Sequence, residues 1–155
     1  MRSHNFAVTF RLRDFATGDF ETLFEIDQAC YEPAIAYSRG ELRRYLRSPG
    51  ADCIVAESAG AVIGFCLTAR QRDRGHVITI DVLEPCRRQG AGSALLAETE
   101  RHLAAAGVRR VSLETATNNA PAIAFWERHG YRILGVRKGY YPGGRDAYAM
   151  AKLLS

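Results

Sequence analysis

No stretch of the sequence holds the ~20 consecutive apolar residues that a helix needs to cross a bilayer. The opening residues, MRSHNFAVTFRLRDF, contain neither an apolar signal core nor a small-residue cleavage site. Cys30, Cys53, Cys66 and Cys86 are widely spaced and form no CxxC pair, so neither a zinc site nor a disulfide framework is indicated. His4, His76, His102 and His129 show no HExxH or other metal spacing. Basic residues form no stripe interleaved with aromatics: 21 Lys plus Arg are scattered among 17 Asp plus Glu, with short clusters only at Arg43-Arg44, Arg87-Arg88 and Arg109-Arg110. Internal repeats, low-complexity tracts and linkers are also missing. These absences lead to the expectation of a cytoplasmic chain with free thiols and no metal, nucleic-acid or membrane partner.

What is present is an ordinary globular composition, 47% apolar and 25% charged. The 155 residues suit one domain spanning 1–155, long enough to bury a core. The net charge of +4 suits anionic ligands in general and picks out none.

Residue patterning gives an order of elements. FAVTFRLR, Phe6 to Arg13, reads as a strand, and Thr17 to Ala29 as an amphipathic helix with Phe20, Leu23, Phe24 and Ile26-Asp27 at roughly helical spacing. A loop around Pro33 follows, and Ser38 with Glu41 forms a capping box for a second helix. CIVAESAGAVIGFCLTARQ reads as a hairpin turning at Ser58 to Gly60. A strand from His76 to Leu83, a glycine turn, and a helix from Ser93 to Ala106 come next. That helix has Leu96, Leu103 and Ala106 on one face and Gly107 as its stop. Val111 to Thr115 is a strand, Pro121 to His129 a short helix ending at Gly130, and Tyr131 to Lys138 and Asp146 to Leu154 are strands. The order is β-α-α-β-β-β-α-β-α-β-β, a mixed α/β chain.

The glycine turn RRQGAG, Arg87 to Gly92, sits at a strand-to-helix junction. A helix N-terminus offers amide hydrogens without intrahelical partners and the positive end of a dipole, which together favour anions. Gly90 and Gly92 let a diphosphate approach the backbone, and Arg87 and Arg88 add charge. The pattern is neither a Walker loop, which needs GKS or GKT, nor a dinucleotide fingerprint, which needs a third glycine. Alone it is equally consistent with a basic structural turn.

Three segments decide between those readings. VLEPCRRQGAGSALL, NNAPAIAFWERHGY and GVRKGYYPGGRDAYAM resemble the GNAT N-acetyltransferase superfamily. Within it the chain is most similar to protein N-terminal amino-group acetyltransferases, of the archaeal broad-specificity type and the bacterial type that acetylates a ribosomal protein. The resemblance lies in Gly75 to Met150 and is loose in the N-terminal third. It implies a GNAT fold, a central mixed and mostly antiparallel sheet of about seven strands with about four helices. It also implies acetyl-coenzyme A as donor and an amine acceptor, most naturally a protein or peptide N-terminus. A small-molecule amine, or a cofactor-binding module with weakened turnover, are the alternatives.

Carried over residue by residue, the resemblance places the coenzyme's diphosphate on backbone amides of Arg88, Gln89, Gly90, Ala91, Gly92 and Ser93, with Arg87 adding a charge-assisted contact. Its pantetheine arm would run along Ile80, Asp81 and Val82, with Asn119 and Trp126 also touching it. The Val82 amide would stabilise the oxyanion. Glu114 would be the base acting through water, with His76 as a candidate to share that water. Strand alternation puts Ser112 and Glu114 on one face, and Val111, Leu113 and Thr115 on the other. Tyr31 and Glu32 would form one wall of an acceptor groove, and Tyr140 and Tyr141 the other.

Trp126 is the main departure, because relatives carry Tyr there as general acid. An indole N–H donates a hydrogen bond but releases no proton at working pH. A thiol of pKa ~8.5 leaves tolerably as thiolate, and an α-amine of pKa ~7.7–8.0 is partly neutral at pH 7. A slowed enzyme is therefore expected, with Trp126 packed against the thioester and Tyr140 or Tyr141 as substitute proton donor. Asp81 is a second departure, since relatives have a small residue there. An acid in an apolar strand calls for a partner, either the substrate ammonium or an arginine.

Overall fold

The computed structural model describes residues 9–155. Phe6 to Val8 of the first expected strand lie outside the described residues; the strand itself, β1, runs Arg11–Asp14. The helix expected from Thr17 is split: a 3-10 turn at Thr17–Asp19 precedes α1, Phe20–Cys30. The cause is Asp19, whose carboxylate accepts from the Ala16 N–H at 2.8 Å and from both terminal nitrogens of Arg13 at 2.8 and 2.9 Å. Helix α2 spans Arg39–Arg47, and its capping box forms as expected, Glu41 N–H to Ser38 Oγ at 3.1 Å and Ser38 N–H to Glu41 Oε1 at 3.0 Å.

Strands β2 (Ala51–Ser58), β3 (Ala61–Gln71) and β4 (Arg74–Val82) form an antiparallel meander. Helix α3 covers Ala91–Ala105, opening two residues before the expected Ser93 because Gly90 serves as N-cap. Ala106 follows it as an exposed C-cap and does not join Leu96 and Leu103 in the core. Then come β5 (Arg110–Ala116), α4 (Ala120–Arg128), β6 (Arg132–Arg137) and β7 (Ala147–Leu153).

All seven strands join one sheet in the order β1-β2-β3-β4-β5-β7-β6. Every neighbouring pair is antiparallel except β4 and β5. Leu23 and Ile26 of α1 and Leu42 of α2 pack on one face of the sheet, with Phe65, Val55 and Leu67. Leu95, Leu96 and Leu103 of α3 and Trp126 of α4 pack on the other, with Val111, Leu113 and Met150. The outer strand β6 leaves Ile133, Leu134 and Val136 exposed between Arg132 and Arg137.

Two irregularities create the site. Leu67 faces Thr79 while Thr68 faces Val77, so Ile78 is a bulge that re-aims the end of β4. The parallel pairing has already ended before it: β4 and β5 meet only at Arg74–Arg110, Gly75–Val111 and His76–Ser112. From there β4 stays with β3 and β5 stays with β7, leaving a wedge-shaped gap between Val77–Val82 and Leu113–Ala116.

Candidate active site

One lip of the gap is a strand edge. Leu83 N–H bonds the Ile63 carbonyl at 2.9 Å, which puts the Gly64–Val82 pair in the non-hydrogen-bonded register. The N–H and C=O of Val82, and by alternation those of Ile80, therefore turn away from β3 toward the gap. Asp81 faces the other way, its main chain pairing with Phe65, so it offers the gap no backbone groups. The carbonyls of this lip are already met by side chains. Tyr37 and Tyr31 hydroxyls donate to Ile78 and Ile80 at 3.3 Å each, and Arg87 Nε donates to Val82 at 2.8 Å. What the lip still offers a ligand is its N–H groups.

The glycine turn lies at the wide end of this gap. Gly90 has φ +89°, a left-handed conformation that glycine adopts without the steric cost of a Cβ, and Arg88 is also left-handed at +63°. Ala91, Gly92 and Ser93 are the first residues of α3, so their N–H groups lack intrahelical acceptors. A Cβ on Gly92 would lie 3.4 Å from the Phe125 ring and 3.9 Å from Val82 Cγ2, so glycine here lets the helix start close to both the lip and α4. These amides, the exposed Arg88 and the Val82 edge fit an extended anionic thioester carrier.

Some side chains stand differently from the sequence expectation. Arg87 folds back on Val82 and reaches Cys30 Sγ at 3.5 Å, so its guanidinium braces the lip. Gln89 Nε2 donates to the Pro85 carbonyl at 3.4 Å. The Ser93 hydroxyl is 2.9 Å from His129 Nε2. Asn119 caps α4 by accepting from Ala122 N–H at 3.2 Å. Trp126 is 5% exposed, edge-on to Tyr131 with ring centroids 5.0 Å apart.

The opposite lip carries the acid–base group. Glu114 Oε2 is 2.8 Å from His76 Nε2 and accepts from the Tyr140 hydroxyl at 3.4 Å, while Oε1 is 3.3 Å from Arg137 Nε. Burial pulls the Glu114 carboxyl up, but His76, Arg137 and Tyr140 outweigh it and hold the group below the ordinary glutamate range. His76 Nδ1 is 2.9 Å from Ser112 Oγ, so Ser112, His76 and Glu114 form a continuous hydrogen-bonded run. Burial, then Glu114, raises the Tyr140 phenol, and burial pushes Tyr141 up to about 12.

The loop after α1 and the β6–β7 hairpin close over the gap. Glu32 pairs with Arg145, and the Tyr140 and Tyr141 rings stack edge-on at 4.9 Å. Glu32 was expected to line a groove, and Arg145 was not foreseen as its partner. Asp81 meets neither an arginine nor open solvent: it is 1% exposed under α1, beside Asp27, which is fully buried. Sequence reading missed Asp27, Thr79, Ser112 and Arg137 as neighbours of the site. Asp27 had a signal, an acid four residues after Leu23 on an otherwise apolar stripe. Away from the gap, Asp14, Asp52 and His102 lie together, and His102 uses both ring nitrogens on Asp52 (3.1 Å) and Glu98 (3.0 Å).

Residues 20–131 match the Acetyltransferase (GNAT) family. The N-alpha-acetyltransferase of Sulfurisphaera tokodaii is 28% identical over 155 residues, covering 92% of each chain. The [ribosomal protein bS18]-alanine N-acetyltransferase of Escherichia coli K12 is 31% identical over 147 residues, covering 90% of this chain and 94% of that one. The crystal structure of Ard1 from Thermoplasma volcanium superposes with a TM-score of 0.88 at 26% identity, over 96% of this chain and 99% of that one.

Proposed function

The chain belongs to the GNAT acetyltransferase family, a family that uses acetyl-coenzyme A, and we propose that it acetylates the α-amino group of a protein or peptide N-terminus. The observation that carries this reading is the gap itself. Its two lips present the Val82 N–H on one side and the Glu114 carboxylate on the other, beneath the Tyr140–Tyr141 hairpin.

The coenzyme, held by the amides of Ala91, Gly92 and Ser93 with Arg88 alongside and Ile80 and Val82 flanking its arm, would supply the acetyl group as a thioester. The remaining chemistry belongs to the chain. Glu114, ionised at neutral pH, takes the proton of the incoming ammonium directly or through water, and His76, held by Ser112, orients the carboxylate and that water. The Val82 N–H is aimed where negative charge develops on the acyl oxygen. Asn119 and Trp126 form the wall behind it, and Tyr31, Tyr140 and Tyr141 line the acceptor side. An α-amine of pKa ~7.7–8.0 asks less of this base than a lysine near ~10.4. The S. tokodaii and E. coli relatives, by name N-terminal and ribosomal-protein acetyltransferases, support the same acceptor.

A small free amine is the second reading, favoured by the Glu32–Arg145 pair that ties two loops across the mouth. Four free thiols, and no helix among the described residues long and apolar enough to cross a membrane, accord with a cytoplasmic setting. The deciding experiment measures coenzyme release with peptides beginning Ala, Ser or Met against polyamines and free amino acids. Turnover on peptides supports the proposal; turnover on small amines alone transfers it to the second reading, and tight coenzyme binding without turnover on either overturns both.

A further inference from the structure

Beneath the β4 lip lies a buried acid pair that the mechanism above leaves unused. Asp27 Oδ2 accepts the Tyr37 N–H at 2.8 Å, and Asp81 Oδ1 is 2.5 Å from Thr79 Oγ1. The remaining oxygens, Asp27 Oδ1 and Asp81 Oδ2, are buried without a donor from any other described residue. Asp27 lies close enough to Asp81 to raise its carboxyl beyond what burial alone does. Two carboxylates so placed repel, and one proton held between them satisfies both orphaned oxygens. Thr79 Oγ1 is in turn 3.3 Å from the Tyr31 hydroxyl, which rests 3.3 Å from the Ile80 carbonyl facing the gap. An unbroken line of exchangeable protons thus runs from a buried carboxylic acid to the reaction cleft.

We propose that this line, from Asp27 and Asp81 through Thr79 to Tyr31, is the proton supply for the departing thiolate, replacing the phenol that Trp126 lacks. The inference rests on the acetyltransferase reading of the site. As the N–C bond forms and the C–S bond breaks, the electron pair of the latter stays on sulfur. Tyr31 swings its hydroxyl proton from the Ile80 carbonyl to that sulfur and takes one from Thr79; Thr79, which at rest donates to Asp81 Oδ1, reverses that bond and takes the pair's proton once it has passed to Oδ1. The acceptor ammonium gives up two protons in becoming an amide. Glu114 takes both in turn and passes them to solvent, and one proton from solvent, entering by the emptied cleft, restores the pair, so the chain is unchanged over a cycle. Tyr31 is the catalytic residue; Thr79, Asp81 and Asp27 act through it.

Electrostatics favour this route. Burial, then Asp27, raises Asp81 well above the carboxylate range, which favours its protonated form. Burial raises Asp27 as well. Burial, then Asp81, also raises Tyr31, so an isolated phenol there would be a poor donor without resupply. The other ionisable groups around the pair among the described residues are Cys30, Tyr37, Glu41, Cys53 and Cys66, with Arg87 beyond Cys30. Among them Cys30 is pushed up to about 11 by burial and Asp81.

The test has two arms. In the bare protein at neutral pH, infrared spectroscopy should show a protonated carboxylic-acid carbonyl band that Asp81→Asn abolishes; its absence overturns the proposal. In turnover, Thr79→Val and Tyr31→Phe should each lower kcat at least about tenfold, at the low end of general-acid effects, with KM for acetyl-coenzyme A little changed. Thr79→Ser, which keeps the hydroxyl, should retain activity, and Trp126→Tyr should rescue Thr79→Val. A wild-type enzyme that acetylates while Thr79→Val and Tyr31→Phe match its rate and pH profile refutes the relay alone. A wild-type protein that acetylates no amine refutes the underlying reading instead, and melting curves identify any variant that fails to fold.

Discussion

Replacing Glu114 by Gln removes a charge while keeping volume and an acceptor for His76 and Tyr140. The carboxylate is 10% exposed, lies 2.8 Å from His76 and 3.3 Å from Arg137, and is held ionised below the ordinary glutamate range. It is therefore a base at every pH suitable for assay, and the alkaline rise of the wild-type rate should follow the acceptor amine. At about pH 7 roughly one-tenth of an α-amine is neutral, so most encounters need the base. General-base removal typically costs 10²–10⁴-fold. With so weakly basic an acceptor we expect the low end, about 10²-fold in kcat/KM, or about 2.7 kcal/mol at ~1.36 kcal/mol per factor of ten. Near pH 9 the amine is already neutral and the loss should shrink to about tenfold, leaving the positional part. Initial rates of thiol release with an Ala-initiated peptide between these pH values measure both. A loss that is constant across pH, or no loss, would refute the assignment of Glu114 as proton acceptor.

Three further outcomes follow from the same geometry. Gly90→Ala puts a Cβ on a residue at φ +89° with no neighbour within 4 Å of it, so the cost is conformational. A loss of about 1–2 kcal/mol should lower Tm by several degrees and weaken acetyl-coenzyme A binding in calorimetry. Asp81 and Asp27 both have raised folded-state pKa values, so the native pair keeps a proton that the unfolded chain releases from about pH 4 upward. Wild-type stability should fall as pH rises through that window toward the folded values, while Asp81→Asn loses most of this slope and is the more stable variant at alkaline pH. Parallel denaturation curves would contradict this. Arg145→Ala breaks a pair whose side chains are 38% and 45% exposed, so stability should change by less than about 1 kcal/mol. KM for peptides should fall as Glu32 is freed, a change that high salt removes.

The order of elements was legible because its punctuation is local: Ser38 with Glu41, Gly107 and Gly130 act within a few residues of where they stand. Gly90 and Gly92 likewise marked the turn that opens α3. Glu114 and Ser112 could be placed on one face by alternation alone. What could not be read were meetings between distant segments. The His76–Glu114 contact depends on parallel pairing that starts at Arg74 and stops after His76. Asp27 reaches Asp81 only because α1 crosses the bulged end of β4, and a single unpartnered residue, Ile78, produces that bulge. Glu32 and Arg145 lie 113 positions apart. Asp81 was visible as an anomaly, but an arginine was the reasonable partner to expect; a second acid is favourable only with a proton between them, which composition does not reveal.

The brief parallel seam has a mechanical consequence. Three rungs are all that join the β1–β4 plate to the β5–β7 plate through the sheet, the rest of their connection being the shared core in which Val111, Leu113 and Met150 pack with Ile54, Ile63 and Cys66. A thioester carrier lodged between them would act as an additional rung, bonded to Val82 on one plate and packed against α4 on the other. At 100-fold over its dissociation constant such a ligand contributes about 2.7 kcal/mol to holding the plates together. Amide exchange along β5 and β7 should then slow when the carrier is bound, while β2 and β3, each paired with a strand on both sides, should scarcely change.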